Sequence, residues 1–243
     1  MRKTPSLLVG LLATGAITGT AVAQVAGSHT TNVSISPTKA GTSSNPTAVS
    51  FKLNISNNRA AGTTADRIEI NLPSGLKMNP RGFPICSEAT ITDQGTDACP
   101  SKSRLGVGTA KAVVNPTAAN PSNLNFRNTF FVGGRNFLNI FLVQTPGDVR
   151  AVLKGTISNR GRRLSIVIPE DLQQPAAGVY SSLTDIVATL KGTTSGRNKH
   201  GFFELSRCSG RSLKVTTKLT YVPNPTPPAA TSSTATDNVP CRR

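Results

Sequence analysis

Apolar and polar residues alternate with a period of two along much of this chain. Successive side chains of a β-strand point to opposite faces, so this pattern predicts strands with one buried and one solvated face. Residues 137–143 are apolar on both faces, which is typical of a central strand covered on both sides. The alternating segments are residues 33–35, 49–55, 68–72, 124–132, 164–168, 186–190 and 213–221.

Turn residues separate these apolar segments. Gly133-Gly134, Pro146-Gly147-Asp148 and Asn159-Arg160-Gly161 favour hairpins and tight turns, and only residues 170–174, after Pro169, predict a short helical turn. About eleven strands at a spacing of roughly ten residues predict an all-β fold, an antiparallel two-sheet β-sandwich. Two smaller immunoglobulin-like sandwiches are the alternative.

The first 23 residues have the pattern of a secretory signal peptide. Arg2 and Lys3 precede an apolar stretch over residues 7–23, which ends in the small-x-small sequence Ala21-Val22-Ala23. The stretch is short and rich in Gly, Ala and Thr for a membrane span of about 20 residues, although a retained N-terminal anchor is the alternative. Gln24 stands where a lipoprotein would need a cysteine. The sequence therefore predicts a secreted protein.

The remaining chain divides by composition into two parts. Residues 24–222 carry the strand patterns and predict one β-sandwich domain. Residues 223–243 are rich in Pro, Thr and Ser and are too poor in apolar residues to order themselves by burial. Cys241 lies in this segment, so a disulfide bond would tether it to the domain.

Four cysteines, Cys86, Cys99, Cys208 and Cys241, predict a disulfide framework in an exported chain. Three pairings are possible. We favour Cys86 with Cys99, which closes a local loop, and Cys208 with Cys241, which fixes the C-terminus. No CxxC or His-x-x-x-His spacing occurs, so a zinc site is disfavoured.

The charge of the chain is strongly basic. It has 27 Lys and Arg against 11 Asp and Glu, and cleavage of the leader leaves 25 against 11. Such a field attracts anionic partners, although scattered cations also simply keep a secreted protein soluble. The densest basic turns predict an anion-binding rim formed by Arg160, Arg162, Arg163, Arg197 and Lys199.

No catalytic constellation stands out in the sequence. Of the two histidines, His29 falls in an N-terminus expected to fray and His200 in a polar turn. A G-x-S-x-G nucleophile motif is missing, and the residues around Asp93 and Asp97 do not have the Gly-bearing ligand spacing of an EF-hand calcium loop. A distant carboxylate pair such as Glu69 and Glu204 stays open as a glycosidase alternative. We predict a non-enzymatic protein with no cofactor and no metal.

The most specific motif covers residues 72–110. It reads Leu-Pro-Ser-Gly, then Phe-Pro-Ile-Cys, then a loop to Cys-Pro-Ser-Lys-Ser-Arg-Leu-Gly-Val-Gly-Thr-Ala. Gly106 and Gly108 share one face of the strand that follows, where missing side chains allow close backbone approach or a bulge. This segment resembles a group of uncharacterised secreted proteins of high-GC Gram-positive bacteria. The resemblance implies an exported β-sandwich and carries no activity.

These patterns together predict a secreted or cell-envelope-associated protein with a structural, adhesive or binding role. An anionic wall polymer is the expected partner, and sequence-specific nucleic acid recognition has no motif here. An extracellular hydrolase or carbohydrate-active module is the alternative, which a deep cleft with two close carboxylates would favour. A carrier of a small apolar ligand is the third possibility, and its mark would be a cavity between the sheets.

Overall fold

A computed structural model describes residues 28–58, 63–115, 120–194, 199–223 and 231–243. The predicted leader, residues 1–23, lies outside the described residues, as does Arg197.

Nearly all regular structure in the described ranges is β-strand, and every strand pairs antiparallel with its sheet neighbours. The prediction of an antiparallel all-β fold is confirmed. A short α-helix of one turn, α1 (Glu170–Gln173), follows Pro169 as expected. The strands are β1 (Ser28–Ser36), β2 (Thr47–Asn58), β3 (Thr63–Asn71), β4 (Leu76–Met78), β5 (Arg104–Val114), β6 (Ser122–Gly134), β7 (Phe137–Gln144), β8 (Arg150–Ser158), β9 (Arg163–Val167), β10 (Ser181–Leu190), β11 (Phe203–Leu205), β12 (Ser212–Pro223) and β13 (Thr231–Pro240).

The described strands form one continuous hydrogen-bonded sheet of thirteen strands, where the sequence predicted about eleven in two sheets. Its order is β13-β12-β3-β9-β8-β7-β6-β5-β10-β2-β11-β4, and β1 pairs with β2 on the edge opposite β10. The sequence could not show this, because alternation reveals which face of a strand is buried but not which strands are neighbours.

The two ends of this sheet meet. The backbone N–H of Val33 in β1 donates to the carboxylate of Asp237 in β13 at 2.6 Å. Just beyond both strands, Lys39 and Arg242 form a parallel backbone bridge. Ala40 donates to the carbonyl of Arg242 at 2.8 Å, and Arg242 donates to that of Thr38 at 2.9 Å. We call this junction of β1 with β13 the seam. It closes the sheet around an apolar interior.

His29 is part of the seam, so its assignment to a frayed N-terminus was wrong. It lies buried in β1, with Nδ1 2.5 Å from the Ser233 hydroxyl of β13 and Nε2 2.8 Å from the Thr217 hydroxyl of β12. Tyr221 extends the network, because its hydroxyl donates to the side-chain oxygen of Asn57 at 2.7 Å. Polar side chains thus join strands that backbone pairing does not join at this point.

The two disulfide bonds have the favoured pairing. Cys86–Cys99 closes the loop that leads into β5, and Cys208–Cys241 fixes the chain after β13. The C-terminal segment differs from its prediction, because residues 231–240 are ordered as β13 along the whole of β12. Its Thr and Ser residues carry no apolar alternation, and the order comes from backbone pairing and the Cys241 bond.

The seam predicts a pH dependence of stability that His29 controls. Burial lowers the pKa of His29 below its usual value of 6.5. The unfolded chain therefore takes up a proton at a higher pH than the native protein does, and the native state is stabilised less as the pH falls below about 6.5. Urea unfolding between pH 8 and pH 5 should show this loss, and His29→Gln should flatten it. An equal pH slope in both proteins would contradict the prediction.

Candidate functional site

The interior of the closed sheet contains a cavity of about 170 Å³. Its walls are the inner faces of β2, β5, β6 and β10 on one side and of β3, β7, β8 and β9 on the other. Almost every wall residue is aliphatic or aromatic. The lining residues contributed by these strands include Leu53, Ile55, Ile68, Ile70, Ala110, Ala112, Leu124, Phe126, Phe130, Ile140, Leu142, Leu153, Leu164, Ile166, Ile186, Ala188 and Leu190.

Small residues on β5 explain why this space is left open. Ala110 and Ala112 line the cavity where the facing strands present Leu and Ile side chains. Gly106 and Gly108 continue the same face of β5, and a Cβ at Gly108 would lie 2.2 Å from the carbonyl oxygen of Val187 in β10. The sequence prediction of close backbone approach at these glycines is confirmed. The tight β5–β10 contact fixes the wall, and the alanines are too short to fill the interior behind it.

One end of the cavity is covered by the segment around α1. Leu172 and Pro175 line the cavity there, and α1 packs against β3 and β10. The N–H of Ile168 donates to the carbonyl of Asp66 at 2.8 Å, which holds this segment over β3. Val149 also lines the cavity at this end and is exposed. We call this end the mouth.

Polar groups on the cavity wall are few. Thr64 and Ser181 tie β3 to β10, because the Thr64 hydroxyl donates to the Ser181 carbonyl. Asp171 of α1 is exposed and is the single ionisable residue among those that line the cavity. Asn128 is as buried as Thr64, and its side-chain oxygen has no hydrogen-bond partner.

Asn128 was missed in the sequence, although a signal was present. In β6 the inward positions are Leu124, Phe126, Asn128 and Phe130, so one amide interrupts an otherwise apolar face. Such an interruption breaks a period-two pattern at one position only and is easily passed over. It indicates either a satisfied core hydrogen bond or a ligand contact, and the structure supplies no intramolecular partner for the oxygen.

The structure brings three of the predicted anion-binding residues to one turn. Arg160, Arg162 and Arg163 lie between β8 and β9, where Gly161 (φ 85°) packs against the Met78 carbonyl of β4. Two of them already have partners: Arg163 is paired with Glu69, and Arg162 donates to Asn159 at 3.1 Å. Arg160 and Lys199 are exposed.

A basic groove that the sequence did not reveal lies at the start of β5 and the end of β10. Its volume is about 480 Å³, and its lining includes Lys102, Arg104 and Lys191, with no carboxylate among the described residues that form it. Ser101, Thr193 and backbone groups complete the polar part of the groove. Lys102 and Arg104 come from the end of the disulfide loop and the start of β5, whereas Lys191 follows β10. Strand pairing therefore assembles cations that are far apart in sequence.

The proposed carboxylate pair is divided between two separate ion pairs. Glu69 on β3 pairs with Arg163. Glu204 on β11 is buried, with Lys77 Nζ at 3.0 Å from one carboxylate oxygen and Asn79 Nδ2 at 2.8 Å from the other. His200 Nδ1 lies 3.4 Å from the latter oxygen. Each acid is thus paired with side chains from a strand next to its own, Glu69 with Arg163 and Glu204 with Lys77.

No protein-family model, curated protein or solved structure matches this chain. Among the described helices, none has the length and apolar character needed to cross a membrane. Its function therefore has to be inferred from its own residues and geometry.

The unpartnered side-chain oxygen of Asn128 predicts that this residue lowers the free energy of unfolding. A buried polar group without a partner costs about 1–3 kcal/mol. Replacing it with Leu, which is similar in size and apolar, should raise the free energy of unfolding by about 1–2 kcal/mol in urea titrations.

Asn139 is the matched control. It is also buried on a strand and its side-chain oxygen also has no partner, but its Nδ2 donates to the Cys86 carbonyl at 3.0 Å. Asn139→Leu should therefore destabilise the protein by leaving that carbonyl without its donor. If Asn128→Leu destabilised the protein as much as Asn139→Leu, the Asn128 oxygen would have to be making a native interaction.

Proposed function

We propose that this chain is a non-enzymatic extracellular protein that encloses a small apolar ligand in the interior of its sheet. The observation that supports this function is the apolar cavity itself, with its walls on eight strands and its mouth at α1. Close packing is the rule inside proteins, and voids of this size are few. The strands on either side act as the two layers of a sandwich whose edges are joined.

The size of the cavity limits the ligand. An engineered apolar cavity of about 150 Å³ stays dry and binds benzene. A cavity of about 170 Å³ therefore fits one aromatic ring with a short substituent, or an aliphatic molecule of similar volume. Ligands of this size gain at most about 1.5 kcal/mol per non-hydrogen atom and usually much less, so we expect dissociation constants of about 10 µM to 1 mM.

An extracellular location agrees with two features of the chain. The leader pattern of residues 1–23 directs export, and two disulfide bonds are typical of oxidising compartments. The resemblance to secreted proteins of high-GC Gram-positive bacteria supports the same location. In this setting a closed, cross-linked sheet can hold a volatile or poorly soluble molecule outside the cell.

Filling the cavity tests this function directly. Ala110→Leu adds three carbon atoms to the wall of the cavity, so toluene binding measured by calorimetry should weaken at least tenfold. Thr109→Leu is the control, because Thr109 is the neighbouring residue of β5 and its side chain is exposed. Toluene that bound Ala110→Leu as tightly as the unmodified protein would be bound elsewhere, and the proposed function would fail.

The basic groove favours a second function, attachment to a polyanion of the cell envelope. Three cations without a carboxylate form a site of one sign, and anionic polymers bind such sites in a salt-dependent way. The basic composition is compatible with the same class of partner, although the sequence predicted the site at Arg160, Arg162, Arg163, Arg197 and Lys199. It is compatible with ligand binding, because no residue lines both the groove and the cavity.

Retention on a heparin column distinguishes the two basic surfaces. Replacing Lys102, Arg104 and Lys191 with Ser should lower the salt concentration at which the protein elutes, because three cations leave one groove. Replacing Arg160 and Arg162, which do not line the groove, with Ser should lower the elution salt concentration less. Equal shifts per charge removed in both variants would indicate that net charge alone retains the protein.

A further inference from the structure

Four neighbouring strands, β5, β6, β7 and β8, carry charge of one sign. The strands β3, β9, β12 and β13 of the described sheet contain four cations and three acids. In contrast, β5 to β8 contain five cations and no Asp or Glu. All five cations are exposed: Arg104, Lys111, Arg127, Arg150 and Lys154. The positive charge of the strands is therefore concentrated on one side of the closed sheet.

Alternation and register place two of these arginines in one row on the outer face. Phe126 and Asn128 line the cavity, so Arg127 between them points outwards. Arg127 lies opposite Val143 of β7, and Val143 lies opposite Arg150 of β8. The backbone positions of the two arginines are therefore about 10 Å apart, which is two strand spacings. Neither arginine forms an ion pair with a described carboxylate.

The basic groove continues into this row of arginines along β5. Val107 lines the groove and is 49% exposed. Thr109, two residues further along the same face of β5, is also exposed and lies opposite Arg127. An exposed surface therefore leads from the groove over β5 to β6 and β8. We call it the outer track, and its residues are Lys191, Arg104, Val107, Thr109, Arg127, Val143 and Arg150.

The disulfide loop between Cys86 and Cys99 borders the outer track on one side. Ile91 of this loop packs with Phe131 of β6, and Phe141 of β7 lies beside them. The loop is acidic, and its exposed acids are Glu88, Asp93 and Asp97. A polyanion is repelled from the part of the outer face that the loop covers. The open route for a polyanion therefore runs over β5, where the outer track lies.

Two further acids mark the limits of the outer track. Asp185 of β10 lies opposite Lys111 and accepts from the Ser56 hydroxyl at 3.2 Å. It offsets the charge of Lys111, so we leave that lysine out of the track. Asp148 lies in the turn before β8, beyond Arg150. The track therefore ends at Arg150.

The side chains of the outer track favour a long phosphate-bearing chain. Three of its four cations are arginines, whose planar guanidinium group donates two parallel hydrogen bonds to a phosphate. The residues between the cations are Val and Thr, so the track itself lacks the aromatic platforms on which single-stranded nucleic acids stack their bases. From β10 to β8 the track spans four strand spacings, roughly 20 Å. Only an extended polymer can contact all of its cations at once.

We propose that the outer track binds a linear polyol phosphate polymer of the cell envelope, which runs from the basic groove across β5 and β6 to Arg150. This inference rests on the second function proposed above, since it assumes that the groove attaches the protein to an envelope polyanion. The groove holds one phosphate of the chain, and Arg127 and Arg150 bind phosphates further along it. Val107 and Val143 contact the carbon backbone between the phosphates.

Removing the two arginines beyond the groove tests the outer track. Binding of the full disulfide-bonded protein to immobilised poly(glycerol phosphate) would be measured by interferometry over a series of salt concentrations. Arg127→Gln combined with Arg150→Gln should weaken binding about tenfold at low salt and make it less salt-dependent, because fewer phosphates are contacted. Arg211→Gln combined with Lys214→Gln is the control. It removes the same charge from exposed positions at the start of β12, which β3 and β9 separate from β8, and should weaken binding roughly twofold or less.

The outcomes separate the outer track from the groove. Equal urea midpoints for the two double variants would show that both are folded. If both weaken binding equally, the track is wrong, and the groove is then judged by its own variant with Ser at Lys102, Arg104 and Lys191. If the polymer does not bind the unmodified protein at low salt, attachment to an envelope polyanion fails and the track fails with it. Single-stranded DNA that binds more tightly than the polymer at the same salt overturns the choice of polymer.

Discussion

The closure of the sheet at the seam is the constraint on which the rest of the structure depends. A sheet with two open edges would leave the inner faces of β1 and β13 exposed, whereas a closed one gives every strand a shared interior. At Val33 the two strands are joined through a side chain, because the Asp237 carboxylate accepts from the Val33 N–H. At Lys39 and Arg242 they are joined by a backbone bridge. The Cys208–Cys241 bond lies beside this point and holds the last strand in place.

Closure also makes a cavity possible. When layers are free to shift, large side chains can move together and fill a gap, so the cost of a void depends on how well its surroundings relax. The seam closes the sheet, the close contact of Gly106 and Gly108 with β10 fixes two neighbouring strands of one wall, and the Thr64–Ser181 bond joins β3 to β10 across the cavity. Ala110 and Ala112 then leave a space that no neighbour can occupy. The cavity follows from rigid walls and short side chains together.

The sequence predicts the individual strands better than their assembly. Alternation located the core of β2 at residues 49–55 within the observed Thr47–Asn58, because burial of one face leaves a periodic trace. It missed β13, whose Thr and Ser residues have no such trace, and it could not find β4 and β11, which are three residues long. The order of the strands and the seam depend on long-range contacts that leave no local pattern.

The same reasoning explains what was predictable about the cavity. The succession Gly106, Gly108, Ala110, Ala112 is visible in the sequence as a strand face without bulk, and Asn128 as one amide on an apolar face. Neither has a functional meaning until β5 and β6 are known to be neighbours, with Gly108 opposite Asn128. Selection for packing alone would favour larger apolar residues at Ala110, Ala112 and Asn128, since filled volume and satisfied polar groups both stabilise a fold. A protein that keeps short residues and an amide oxygen without a partner at adjoining positions gives up stability there, and this loss is the physical argument for the ligand site that we propose.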